Sequence, residues 1–174
     1  MKNYKHLLPF IKTFIFDVDG VLTDGKILIT NEGELLRSFD AKDGYAIKCA
    51  LVQGYKIVII SGGRNEGVRK RFKELGVFDI YMGANYKIEA YHDLIDNYSI
   101  DPQTILFVGD DVPDIPVMEK VGLSCCPANA VTDVKSIATY VSHKNGGEGC
   151  VREIIEQVLR VQGKWRKDIG AGLD

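Results

Sequence analysis

Unbroken apolar runs alternate along this chain with segments whose apolar residues recur at helical spacing. The runs at 13–16 (TFIF), 56–60 (KIVII), 104–108 (TILFV) and 122–126 (GLSCC) read as buried strands. Segments 41–53, 64–76, 86–98, 112–120 and 148–162 read as helices, and a short strand fits between the helix at 64–76 and Lys87. Strands that are apolar on both faces need helices on both sides. The pattern therefore predicts an α/β fold: an open, doubly wound, mostly parallel sheet of Rossmann-like type. One segment breaks the rhythm. Residues 25–40 alternate apolar and polar positions around TNEG, which predicts a β-hairpin projecting just after the first strand. With no second domain in sight, a neighbouring subunit is the economical cover for it.

Composition adds bounds. The chain has 174 residues, 45% of them hydrophobic and 26% charged, as expected for one globular domain over 1–165 with a loose, flexible tail at 166–174. A formal net charge of -2 leaves no electrostatic footprint for nucleic acid or an anionic membrane. The opening MKNYKHLLPFIKTFIF imitates a secretory signal, but Pro9, Lys12 and Asp17 interrupt it, so it reads as a lead-in to the first strand. Nothing else approaches the roughly 20 apolar residues that span a bilayer, and a cytoplasmic protein is expected. Cys49, Cys125, Cys126 and Cys150 lack the spacing of a zinc site and read as reduced, mostly buried thiols. His6, His92 and His143 form no pattern.

The polar residues between these elements carry the chemistry. Three strands run into Asp17, into Ser61, and into Gly109, Asp110 and Asp111, and a doubly wound sheet binds ligands at the carboxyl ends of its strands. Asp17, Asp19, Asp110, Asp111 and Asp114 would bring up to five negative charges to that edge, which calls for a cation among them. Carboxylate oxygens without His or Cys point to Mg²⁺, which favours a substrate phosphate as a further ligand. Lys87 falls in the first turn of a helix, where a cation is unfavourable unless an anion lies close. With the Ser61 hydroxyl it supplies groups for a phosphoryl moiety, which makes a phosphoryl-transfer site.

These residues resemble a known superfamily. DVDGVLTDG is similar to the DxD motif of the haloacid dehalogenases, IISGG to their Ser/Thr motif, Lys87 to their Lys motif and GDDVPD to their acidic motif, all in the expected order. The resemblance implies that Asp17 is a nucleophile forming an aspartyl-phosphate, and that Asp19 is a general acid and base. It also implies that Ser61 and Lys87 hold phosphoryl oxygens. Asp17, the Asp19 backbone carbonyl and Asp110 would ligate Mg²⁺, with Asp111 and Asp114 behind them. An acid two residues after the nucleophile suits an alkoxide leaving group, hence a phosphatase. No cap domain fits between Asp17 and Ser61 or between Ser61 and Lys87.

The hairpin, SGGR and the later GGEGCVRE closely resemble the 3-deoxy-D-manno-octulosonate 8-phosphate phosphatases over residues 10–164. That family implies a small sugar-acid phosphate substrate, a role in lipopolysaccharide synthesis, and a homotetramer whose hairpins close neighbouring sites. Arg64 would meet the substrate carboxylate and favours the eight-carbon sugar over a nine-carbon ulosonate. Two other classes compete. A receiver domain gathers similar residues but places its acidic pair at the first strand, and a non-catalytic subunit would have eroded motifs.

Single residues also have plainer readings. Ser61 would do as the cap of the helix beginning near Arg64, and Arg69 as part of a solvated basic face. Asp24 reads first as the start of the hairpin turn. Arg152 either starts the last helix or reaches across a subunit boundary. A role for the tail at a neighbouring site rests on analogy alone.

Overall fold

In the computed structural model, which describes residues 3–166, six parallel strands form one sheet. They are β1 (Thr13–Phe16), β4 (Lys56–Ser61), β5 (Asp79–Met82), β6 (Ile105–Val108), β7 (Leu123–Cys126) and β8 (Tyr140–Val141). A separate antiparallel pair, β2 (Leu28–Ile29) and β3 (Leu35–Leu36), is the projecting hairpin. The helices are α1 (Ala41–Val52), α2 (Glu66–Leu75), α3 (Lys87–Tyr98), α4 (Ile115–Met118), α5 (Thr132–Ile137) and α6 (Cys150–Val161). The tail predicted at 166–174 falls, beyond Arg166, outside the described residues.

The sheet order is β5-β4-β1-β6-β7-β8. Winding runs outward from β1 through β4 to β5, then α3 returns the chain to β6 on the other side. The order reverses at β1, so a crevice opens beyond the carboxyl ends of β1 and β6. Alternation along each strand feeds two cores. Phe14, Phe16, Ile57, Ile59, Leu106 and Val108 pack with residues of α1, α2 and α6, while Ile15, Val58, Ile60 and Phe107 pack with residues of α3, α4 and α5. Phe14, Ile15 and Phe16 are 0% exposed, and burying each contributes roughly 1.5–3 kcal/mol. That anchoring fixes the stem on which Asp17 stands.

The predicted elements shift in three places. The helix read at 112–120 is a 3-10 turn (Val112–Asp114) followed by the single turn of α4, because Pro113 and Pro116 withhold backbone donors. α2 starts at Glu66 with Asn65 as its cap, whose side chain accepts from Val68 N. Ser61 therefore does not cap it. α5 and β8 were not anticipated, since β8 has two residues and α5 six, too few for either period to register. All four cysteines are free and buried, as read, and no helix among the described residues is long and apolar enough to cross a membrane.

Candidate active site

β1 delivers Asp17 to the sheet edge, and its amide extends the parallel pairing by donating to Val108 O at 3.0 Å. The chain then turns sharply through Val18 to Thr23. Gly20 makes this possible: its φ is +92°, and a Cβ there would lie 2.0 Å from Asp110 Oδ2. Any side chain at position 20 would displace the carboxylate at the end of β6. The turn is closed from behind by the loop before α6, where Gly147 N donates to Val21 O at 3.0 Å. A Cβ on Gly146 would lie 1.7 Å from Gly20 O, so backbone packs directly on backbone.

Lys87, in the first turn of α3, points under this turn. Its Nζ pairs with Asp17 Oδ1 at 2.9 Å and Asp114 Oδ1 at 2.6 Å, the anions that a cation at a helix N-terminus requires. Burial works against its charge, yet the two carboxylates outweigh that and hold its pKa above the usual lysine range. Asp114 is 0% exposed. Its other oxygen, Oδ2, accepts from Asp110 N at 3.0 Å and Asp111 N at 3.2 Å. Asp17, Asp110 and Asp114 have ligand atoms within 4.8 Å of one another. With both Asp114 oxygens engaged, however, Asp114 braces Lys87 and the acidic loop, leaving Asp17 and Asp110 to face the cavity.

That cavity measures about 480 Å³ and is lined by Asp17, Asp19, Ser61, Lys87, Asp110 and Asp111, together with glycines 25, 62 and 63, Ala84, Asn85 and Pro113. Ser61 is buried at the end of β4, and its Oγ accepts from Gly63 N at 3.2 Å. The loop after β4 is tied to the one after β5, with Ala84 N donating to Ser61 O at 3.0 Å. Asp111 accepts from Val112 N at 2.7 Å and starts the 3-10 turn.

The electrostatics fit a hard cation. Burial and the neighbouring Asp114 charge push the Asp17 and Asp110 carboxyls up to about 7, against the pull of Lys87. Asp110 Oδ1 is buried without a hydrogen-bond partner among the described residues, a cost of about 1–3 kcal/mol or more if nothing satisfies it. Oxygen donors alone, two of them carboxylates short of positive charge, suit Mg²⁺. Asp17 and Asp110 would hold it, with the Asp19 carbonyl as the third group the motif implies.

Other predicted residues lie outside this set. Arg64 is exposed and outside the cavity lining, its side chain running along Gly83. Asp24 accepts from Lys26 N at 3.0 Å and starts the hairpin turn. The Arg152 guanidinium stands 5.6 Å from the rings of both Tyr45 and Trp165 in the first turn of α6. One residue escaped the sequence reading. Arg37, just past β3, pairs with Asp19 through Nε–Oδ1 at 2.8 Å and Nη2–Oδ2 at 3.1 Å. Hydrogen bonding to Asp19 raises its pKa despite its burial. Alternation along the hairpin gave no signal for a contact 18 residues back.

A doubly wound sheet with two aspartates after its first strand, a serine ending the neighbouring strand and a buried Lys–Asp pair beside an acidic loop defines the haloacid dehalogenase-like hydrolases. Residues 73–154 match the haloacid dehalogenase-like hydrolase family. The 3-deoxy-D-manno-octulosonate 8-phosphate phosphatase of Salmonella typhi is 44% identical over 154 residues, 88% of this chain and 82% of that one. The crystal structure of the Yersinia pestis phosphatase of the same name superposes with a TM-score of 0.92 at 36% identity, covering 95% of this chain and 90% of that chain. The Moraxella catarrhalis enzyme, in complex with magnesium, phosphate and KDO, gives a TM-score of 0.90 at 31% identity over 94% of each chain. The chain belongs to the 3-deoxy-D-manno-octulosonate 8-phosphate phosphatase family.

Proposed function

We propose that this protein is a Mg²⁺-dependent phosphatase that hydrolyses 3-deoxy-D-manno-octulosonate 8-phosphate to the free sugar acid and inorganic phosphate in lipopolysaccharide biosynthesis. The observation that carries the reading is the convergence of Asp17, Asp19, Ser61, Lys87 and Asp110 on one cavity in a chain 44% identical to an enzyme of that name.

In the first half-reaction an Asp17 oxygen attacks phosphorus. The P–O bond to the sugar breaks as the aspartyl-phosphate forms, and Asp19 gives its proton to the leaving alkoxide. In the second, the Asp19 carboxylate takes a proton from water, whose oxygen attacks phosphorus and releases Asp17 and phosphate. Lys87 and Ser61 hold the phosphoryl oxygens throughout. Asp114 keeps Lys87 aimed, and Asp111 supports the acidic loop. When bound by Asp17, the Asp19 carbonyl and Asp110, Mg²⁺ supplies neutralising charge for the phosphoryl oxygens.

Arg64 is assigned to the substrate carboxylate, which favours the eight-carbon acid. Its exposed side chain, next in sequence to the cavity-lining Gly63, supports that assignment. The exposed apolar residues Ile27, Leu28, Ile29, Leu35 and Leu36 of the hairpin support a homotetramer in which each hairpin covers a neighbour's cleft. Four unbridged thiols support a reducing, cytoplasmic setting.

Turnover of the eight-carbon and nine-carbon ulosonate phosphates, with and without Mg²⁺, tests the reading. Steady Mg²⁺-dependent phosphate release from the eight-carbon substrate is expected, with the preference reduced in Arg64→Ala. Stoichiometric labelling without turnover would instead indicate a receiver-like phosphoacceptor. Light scattering that finds only monomer would remove the tetramer.

A further inference from the structure

Arg37 takes no part in the assignments above, yet it is the residue built most closely around the Asp19 side chain. Its guanidinium meets both Asp19 oxygens side-on, Nε to Oδ1 and Nη2 to Oδ2, while Nη1 donates to Leu35 O at 3.1 Å. Leu35 O also accepts from Asn65 Nδ2 at 2.9 Å, so the base of the hairpin is tied to the start of α2. The Arg37 side chain is 6% exposed, against 31% for Asp19, and Arg37 is not part of the cavity lining. It stands behind Asp19 rather than beside a substrate. Among the described residues the Asp19 carboxylate has no other side-chain partner. A planar fork held to backbone on one edge offers a carboxylate one orientation, which a lysine point charge does not.

We infer that Arg37 is a positioning residue that orients the Asp19 carboxyl group for both proton transfers. The inference rests on the proton-transfer role proposed for Asp19. That role needs an Asp19 oxygen within hydrogen-bond reach first of the leaving oxygen and then of the attacking water. A misplacement of about 1 Å costs on the order of 10²-fold in rate. Because the clamp comes from the hairpin base, the hairpin serves its own subunit's chemistry.

Two substrates separate the possibilities. A sugar alkoxide needs a proton to leave, whereas p-nitrophenolate leaves as the anion. Because hydrolysis of the aspartyl-phosphate is common to both substrates, the comparison is made in kcat/KM, which reports only its formation. Arg37→Gln is expected to lower kcat/KM on 3-deoxy-D-manno-octulosonate 8-phosphate roughly 10²-fold and on p-nitrophenyl phosphate by less than about threefold. Arg37→Lys regains part of the loss, which also guards against a folding defect in the Gln variant. Adding Arg37→Gln to Asp19→Asn costs little more than Asp19→Asn alone. Equal losses of kcat/KM on both substrates in Arg37→Gln, or a KM rise confined to the sugar-acid phosphate with kcat unchanged, overturn the inference, the latter by making Arg37 a substrate contact. If Asp19→Asn itself fails to discriminate the substrates, the proton-transfer role falls and the inference with it. If Asp19→Asn discriminates and Arg37→Gln does not, only Arg37 loses its role.

Discussion

Two places in this fold bury an aspartate at the cost of its charge, and they do opposite things with it. At the end of β6, burial and Asp114 push the Asp110 carboxyl up to about 7, and its Oδ1 lacks a partner among the described residues. In α1, Asp43 is 1% exposed and is likewise pushed up to about 7 by burial despite the hydrogen bond from Arg152, with Oδ2 unpartnered among the described residues. Asp110 opens onto a cavity of about 480 Å³ shared with Asp17, Asp19, Ser61 and Lys87. Asp43 borders a space of about 10 Å³, room for at most a water. Its Oδ1 accepts from Arg152 N at 2.7 Å, capping from α1 the start of α6, whose own Gly149 has no side chain to do so. A perturbed carboxyl thus marks a catalytic site only when it faces space that a substrate can enter.

The sharpest way to break this contrast is to remove one carboxylate from each place. Asp17→Asn should lower phosphate release roughly 10⁴-fold or more, while Asp43→Asn leaves turnover within about threefold. Comparable losses would show that the two environments are not functionally distinct. Next in size is the pairing that only the catalytic edge has. Lys87→Met leaves buried Asp17 and Asp114 uncompensated and should destabilise the fold by about 3–5 kcal/mol in urea titration. An unchanged midpoint would mean that these carboxylates tolerate their neighbourhood without it.

A third test sharpens the comparison through pH. Asp17, Asp110 and Asp43 have folded pKa values near 7, above the ordinary 3.8. Between those values the folded state binds more protons than the unfolded one. The stability they confer is therefore full below about pH 4 and is lost as pH rises to about 7. Mg²⁺ should flatten the part that belongs to Asp17 and Asp110, and Asp43→Asn the part that Mg²⁺ leaves, in thermal scans with metal or chelator. A slope indifferent to Mg²⁺ would separate the ion from these carboxylates. The smallest effect is expected at Asp24, which begins a turn on the exposed hairpin. Asp24→Ala should leave kcat within about twofold.

Much of this was legible before any coordinates, and the reasons are local. FIFDVDG shows both the buried stem and the carboxylates, because a strand apolar on each side ends where its first charge falls. Ser61 and Asp110 were found by the same rule. Lys87 stood out as a cation at the wrong end of a helix, and the structure supplies the anions. The misses are non-local or too short. Arg37 reaches Asp19 across the hairpin, and Asp43 caps a helix 109 residues away, so neither contact leaves a period to detect. β8 has two residues, fewer than alternation needs.

The contact between Gly146 and Gly20 has a consequence for how the protein is made. The nucleophile turn leaves the ribosome more than a hundred residues ahead of its backing, and about ninety ahead of β6, one of its two neighbour strands. At a synthesis rate of roughly 5–20 residues per second, that is a wait of several seconds or more. Until then the turn that carries Asp17 lacks its floor, so a nascent chain carries the catalytic motif without a catalytic centre.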